Sequence, residues 1–258
     1  MLLVLLVSLV SFVSGCAILP PEIPAKAQTG PLPTMQQANK AWAEVLHRYV
    51  NDSGHVAFHA LAKHPELLHE VVRWVGAVTP RNHPALFPNK DAVLAYNINA
   101  YNALAMNQIL RFGIPKELSL FTRYRFFVSS VVMIGGKKIS LEDYEDMIRK
   151  LGNPLVHVAL NCMSASCPQL PRVPFAAATI QKQLNSQAHR FFNKTRNVRV
   201  DNKTQTVYFS KILDFYTSDF KAVAPSLIAF VNRYREQKIP KNYHVRFMDY
   251  NWTVVQQH

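Results

Sequence analysis

The chain has 258 residues, of which 49% are hydrophobic and 17% charged, an ordinary globular composition that excludes a disordered, collagenous or disulfide-rich chain. Its 29 Lys and Arg against 16 Asp and Glu give a net charge of +13, all of it beyond the first sixteen residues. Such an excess draws a protein to anionic lipid headgroups or envelope polymers. Nucleic acid is not expected as a partner, since no zinc finger, RNP-type aromatic motif or Gly-Arg tract occurs.

Residues 1–16 form an uncharged apolar run ending in Val13-Ser14-Gly15-Cys16. The run is shorter than the ~20 residues of a spanning helix and reads as a signal peptide ending in a lipobox, with Cys16 the lipidation site. No basic residue precedes it, so an uncleaved N-terminal anchor stays open. Ala17 rather than Asp follows the cysteine, which by resemblance to sorted lipoproteins points to the outer membrane, with the body facing the periplasm. Pro20, Pro21, Pro24, Pro31 and Pro33 make residues 17–34 an extended tether. Residues 35–258 then form a single globular domain in the cell envelope, lipid-anchored to its membrane.

Apolar spacing predicts amphipathic helices over residues 36–49 and 65–78, separated by a turn at Asn51-Asp52-Ser53-Gly54. A third helix over residues 91–111 is apolar nearly all round, ends at Gly113, and belongs at the centre of the fold. Residues 126–139 alternate and break at Gly135-Gly136, a hairpin signal. Ser140 and Asp143 form a capping box for a helix over residues 141–151. A short strand at 155–161, a helix at 175–192, a hairpin at 198–209 turning at Asp201-Asn202-Lys203, a helical stretch at 218–237 and a last strand near 244–250 complete the order. The class is α+β, a helical N-terminal half whose buried central helix packs on a small antiparallel sheet.

Chemistry concentrates in H-V-A-L-N-C-M-S-A-S-C-P at residues 157–168, where His157, Asn161, Cys162, Ser164, Ser166 and Cys167 crowd together. In an oxidising compartment Cys162 and Cys167 are candidates for a disulfide. A zinc site from His157, Cys162 and Cys167 lacks a fourth ligand, so no metal is expected. Nucleophilic catalysis by a thiol with a histidine base stays open, with Ser164, Ser166 and backbone amides as oxyanion donors. On an unbroken strand His157 and Cys162 point to opposite faces, so such a dyad requires a break near Asn161. No cofactor is expected, because Gly135-Gly136 lacks the spacing of a phosphate loop.

On the central helix, Asn97, Asn99 and Asn102 either hold neighbouring loops or line a polar cleft, with Asn97 and Tyr101 on one face and Asn99 and Asn102 on another. Glu145 precedes Arg149 by four residues, the spacing of a surface ion pair. The remaining histidines are scattered.

Together with Y-N-I-N-A-Y-N-A-L at residues 96–104, S-L-E-D-Y-E-D-M-I-R at 140–149 and the closing Y-N-W-T at 250–253, the cysteine segment resembles the family catalogued as domain of unknown function 547, from about Trp42 to Thr253. The resemblance brings Glu145 and Arg149 into the cleft, with Glu145 orienting His157. Some members resemble Ser-Ser-Pro where this chain has Ser166-Cys167-Pro168, which leans away from a purely structural disulfide. The element order is also similar to papain-like and transglutaminase-like folds, but those carry their nucleophilic cysteine on the central helix, where this chain has Asn97 and Asn99.

Two functions follow as expectations. One is an exported lipoprotein that binds an anionic envelope polymer or lipid in a polar cleft through Asn97, Asn99, Tyr101, Asn102, Asn161, Ser166 and Arg149. The other is a cysteine-dependent hydrolase or acyl transferase acting on an amide or ester, with Cys162 as nucleophile, His157 as base and Glu145 as orienting acid.

Overall fold

The structure is a computed structural model and describes residues 30–257. The expected signal peptide, the lipidation site Cys16 and residues 17–29 of the tether lie outside the described residues.

Helix α1 (Met35–Tyr49) starts at Thr34, whose hydroxyl accepts the Gln37 amide at 3.2 Å while the Gln37 side chain accepts the Thr34 amide at 2.8 Å. It buries Ala38, Ala41, Trp42, Val45 and Tyr49, one stripe at helical spacing. After the Asn51 turn come α2 (Phe58–Lys63) and α3 (Glu66–Ala77). The central helix α4 (Lys90–Arg111) is capped by Asn89, which accepts the Ala92 amide at 2.9 Å, and is buried for most of its length.

The surroundings of α4 differ from the expectation. It packs among α2, α3, α6 (Leu141–Arg149) and α7 (Ile180–Phe192) rather than on a sheet. The reason lies in the strands, which are four residues each and present too little face to cover a helix of 22. Class α+β nevertheless holds, with two small sheets set among helices.

The first sheet is the hairpin β1 (Val131–Ile134) and β2 (Lys137–Ser140). Gly135 and Gly136 have φ of 55° and 81°, which gives the tight turn the twist of its strands. Their amides donate to Val75 and Gly76 carbonyls at 3.1 and 2.6 Å, docking the turn on the end of α3. Ahead of β1, residues 126–129, expected as strand, belong instead to a π-turn over Arg125–Ser129 that follows α5 (Leu120–Tyr124). The Ser140 hydroxyl caps α6 at the Asp143 amide, 3.0 Å away, while the Asp143 carboxylate accepts from that hydroxyl.

The second sheet has the order β3 (Val198–Asp201), β4 (Thr206–Phe209), β5 (His244–Phe247). It is mixed, not antiparallel: β3 and β4 form the expected hairpin, but β5 runs parallel to β4. Between them the chain passes through α8 (Lys211–Phe215), α9 (Thr217–Lys221) and α10 (Leu227–Val231), a crossover long enough to return in the same sense. The single helix expected over 218–237 breaks at Pro225, after which Ser226 caps α10.

The strand expected at 155–161 is a 3₁₀ turn, Pro154–Val158. Pro154 favours a helical first position and the Asn153 side chain accepts the Leu155 amide at 3.0 Å.

The last residues lace the molecule together. Leu118 donates to Trp252, Ala165 to Thr253, Val254 to Lys116, Val255 to Met163 and Val56 to Val255, all at 2.8 to 3.0 Å. This tail carries Tyr250 and Trp252 across the cysteine loop.

Candidate functional site

A pocket of about 70 Å³ opens between the C-terminal part of α4, the cysteine loop, α8 and the tail. Tyr101, Glu145, His157, Cys162 and Cys167 line it with Tyr216, Tyr250 and Trp252. Its borders thus include the helix and loop expected from the sequence, together with C-terminal residues that spacing alone did not place there.

Two buried thiols form its floor. The Cys162 and Cys167 sulfurs are 2.6 Å apart, longer than the ~2.05 Å of a disulfide, and both are free. The Cys167 sulfur also accepts the Cys162 amide at 3.1 Å and lies 3.2 Å from the Tyr250 hydroxyl and 3.4 Å from that of Ser164. Burial alone would raise the Cys167 thiol, but hydrogen bonds from Cys162, Ser164 and Tyr250 bring it down to about 6. Burial and the hydrogen bond to Cys167 push Cys162 well above the usual thiol range. The two sulfurs are thus shifted in opposite directions, Cys167 downward and Cys162 upward. Burial, then the two neighbouring sulfurs, raise Tyr250 as well, so its phenol stays protonated and donates.

The loop takes this shape because Asn161 and Met163 fold it back. Met163 has φ of 67°, unusual for a residue with a side chain. Its amide is held by the Asn161 side chain at 2.6 Å and its carbonyl by the Val255 amide at 3.0 Å. Asn161 donates in turn to the Pro168 carbonyl at 2.6 Å, closing the loop across the cysteines.

His157 is not hydrogen-bonded to either thiol, and Glu145 does not orient it. Its Nε2 meets Asp219 Oδ2 at 2.8 Å, and its ring stacks on Tyr216 with centroids 3.9 Å apart. Asp219 also receives Arg149 through two nitrogens, Nε at 2.8 Å and Nη2 at 3.1 Å. The hydrogen bond from His157, then the Arg149 fork, hold the Asp219 carboxyl well below the usual carboxylate range. Arg149 has Asp146 as its second carboxylate partner, so the i, i+4 pair with Glu145 does not form. Glu145 accepts instead from the hydroxyls of Tyr101, at 2.8 Å, and Tyr216. Burial, then the Glu145 charge, hold both phenols well above their usual value.

The amides of α4 serve the backbone. Asn102 donates to the Ala159 carbonyl at 3.0 Å and accepts the Asn161 amide at 2.8 Å. Asn99 accepts the Phe175 amide and Trp42 Nε1, and donates to the Phe175 carbonyl. Asn97 accepts the Tyr144 hydroxyl and donates one turn back to Val93. None of these three lines the thiol pocket, and neither does Asn161. Ser166 accepts the Asn251 amide at 2.8 Å, which fixes the tail rather than a ligand.

On another side of α4, about 400 Å³ of cavity is lined by Trp42, Trp74, Phe87, Tyr96 and Phe175, with no Asp, Glu, His, Lys or Arg in its wall. The Tyr96 hydroxyl and the Asn99 amide on its wall are already satisfied by protein groups. Among the described residues, no group of three or more His, Cys, Asp and Glu is arranged to hold a metal ion.

The family model described as Protein of unknown function, DUF547, matches residues 87–192. Over that segment the chain is similar to this family. The match takes in α4, α6 and the cysteine loop, and is narrower than the span from Trp42 to Thr253 that the motifs suggest. No curated protein and no solved structure matches the chain. Tyr216, Asp219, Tyr250 and Trp252, which complete the site, all lie beyond the matched segment. Only the closing Y-N-W-T signalled two of them in the sequence.

Proposed function

We propose that this chain is an exported, lipid-anchored protein whose Cys162–Cys167 pair exchanges disulfides with a small thiol partner in the envelope. One observation carries the reading: two free sulfurs 2.6 Å apart, with the Ser164 and Tyr250 hydroxyls placed to donate to Cys167. Nucleophile and resolving thiol are then already adjacent.

The Cys167 thiolate attacks one sulfur of an external disulfide, forming a mixed disulfide and expelling the first partner thiolate. Cys162 then attacks the Cys167 sulfur. A protein disulfide forms, the second partner sulfur leaves, and the Cys162 proton passes to it. Two electrons move from the dithiol to the external disulfide, and one thiol and one thiolate are released. The donors around Cys167 stabilise the reduced pair and so favour the reverse direction, in which the bridged protein oxidises a dithiol.

The acyl-transfer reading has less support, because among the described residues no histidine is hydrogen-bonded to either sulfur and His157 is paired with Asp219 instead. Binding of an anionic component in this pocket is also disfavoured, since a thiolate and the Glu145 carboxyl line it and the Arg149 charge is taken by Asp146 and Asp219. The test is a trap. Cys162→Ser incubated with glutathione disulfide is expected to accumulate a glutathione adduct on Cys167, found by mass spectrometry, while Cys167→Ser forms little. Equal adducts on both variants, or none on Cys162→Ser after full reduction, would remove the exchange reading.

A further inference from the structure

Helix α5 and the π-turn after it carry an apolar face that the fold leaves uncovered. Leu120 is 75% exposed, Phe121 70%, Tyr124 59% and Val128 40%. At about 100° per residue these four fall within roughly 100° of arc, a continuous stripe. Arg123 and Arg125 fall on either side of it, and exposed Lys116, Lys137 and Lys138 follow at the flanking loop and hairpin. Across residues 112–140 these five cations face a single acid, Glu117.

The stripe is held rigidly. Ser119 caps α5, Leu118 donates to Trp252 at 3.0 Å, and the Arg123 guanidinium lies 4.4 Å over the Trp252 ring. A fixed apolar ridge with aromatic residues and a basic rim matches the layered chemistry of a bilayer surface, where rings and aliphatic chains enter the headgroup boundary and cations meet lipid phosphates. A protein groove would ask for shape and for carboxylates placed one by one.

We infer that α5 and the π-turn are an interfacial docking element that seats on an anionic lipid bilayer. The placement matters for the site. Phe127 of the π-turn and Trp252 both line the thiol pocket, and their rings lie 6.2 Å apart, so docking brings the pocket mouth to the lipid surface. The partner thiol would be met at the membrane, yet the docking argument does not depend on the thiol reading.

The test uses the full chain carrying Cys16→Ser, which abolishes acylation, with vesicles of phosphatidylcholine containing one-third phosphatidylglycerol. Phe121→Trp places an indole on the ridge, so brominated acyl chains report contact at this place whatever the N-terminal segment does. Expected are a blue shift and quenching of the added fluorescence on the anionic vesicles, weakened on pure phosphatidylcholine and by high salt. Leu120→Ser with Phe121→Ser and Tyr124→Ser, folded by circular dichroism, is expected to bind at least about tenfold more weakly. An added indole that is neither shifted nor quenched on bound protein overturns the proposal, as does unchanged binding of the triple variant. Glutathione trapping on Cys167 in either case would leave the thiol reading standing.

Discussion

Asn102 shows how one side chain organises the site without touching it. Its amide is 1% exposed, and both ends are spent on the backbone of residues 159 and 161, at the entry to the cysteine loop. Asn102→Leu fills much the same volume but strands a buried carbonyl and a buried amide, each a loss of roughly 1 to 3 kcal/mol. The denaturant midpoint is therefore expected to fall, and an unchanged midpoint would mean that water replaces the lost bonds. The presence of polar residues on a buried helix was legible in the sequence, which left open whether they hold loops or line a cleft. The partners of Asn99 and Asn102 were not legible, because they stand 57 to 76 positions away. The same distance hid the histidine's partner. Asp219 stands 62 positions beyond His157 on a five-residue helix, and no local pattern joins them.

At the scale of elements, the signals that proved readable were local ones. Gly135-Gly136 marked the β1–β2 turn, and the two glycines give a sharp comparison. A Cβ on Gly135 would meet Thr79 Cγ2 at 2.6 Å, and Thr79 is itself hydrogen-bonded to Asn82, whereas a Cβ on Gly136 would meet nothing within 4 Å. Both have positive φ, so Gly136→Ala is expected to cost on the order of 1 kcal/mol from backbone strain alone. Gly135→Ala should cost more, and thermal unfolding of the two variants measures the difference. Equal losses would mean that Thr79 moves aside freely. Where sequence reading failed, the signal was short and ambiguous. Residues 155–161 are apolar and β-branched enough for a strand, but Pro154 and Asn153 start a 3₁₀ turn and no neighbouring strand is there to pair. That difference removes the alternation that set His157 and Cys162 on opposite faces, and both line one pocket. β5 was readable as a strand, yet its direction was not, because direction depends on the path of α8 to α10.

For the molecule as a whole, the tail is the element that turns a helical body into a site. Residues 250–255 bridge the Val56 region, the approach to α5 and the cysteine loop, and they bring Tyr250 to the sulfurs and Trp252 to the exposed ridge. Five of the 29 Lys and Arg of the chain lie around that ridge. The thiol pair and the docking face then belong to one end of the molecule.

The central claim is that Cys167, not Cys162, is the thiolate at neutral pH. Alkylation of the reduced protein by iodoacetamide between pH 4 and pH 10, read by mass spectrometry on tryptic peptide 151–172, tests it directly. The rate follows the thiolate fraction, so a lowered thiol reacts across a range where an ordinary one is still protonated. Label is expected first on Cys167, with the rate rising through about pH 6 and level above it, and Tyr250→Phe should move that midpoint upward by removing a donor. First labelling at Cys162, or a midpoint in the ordinary thiol range near 8.5, would contradict the account.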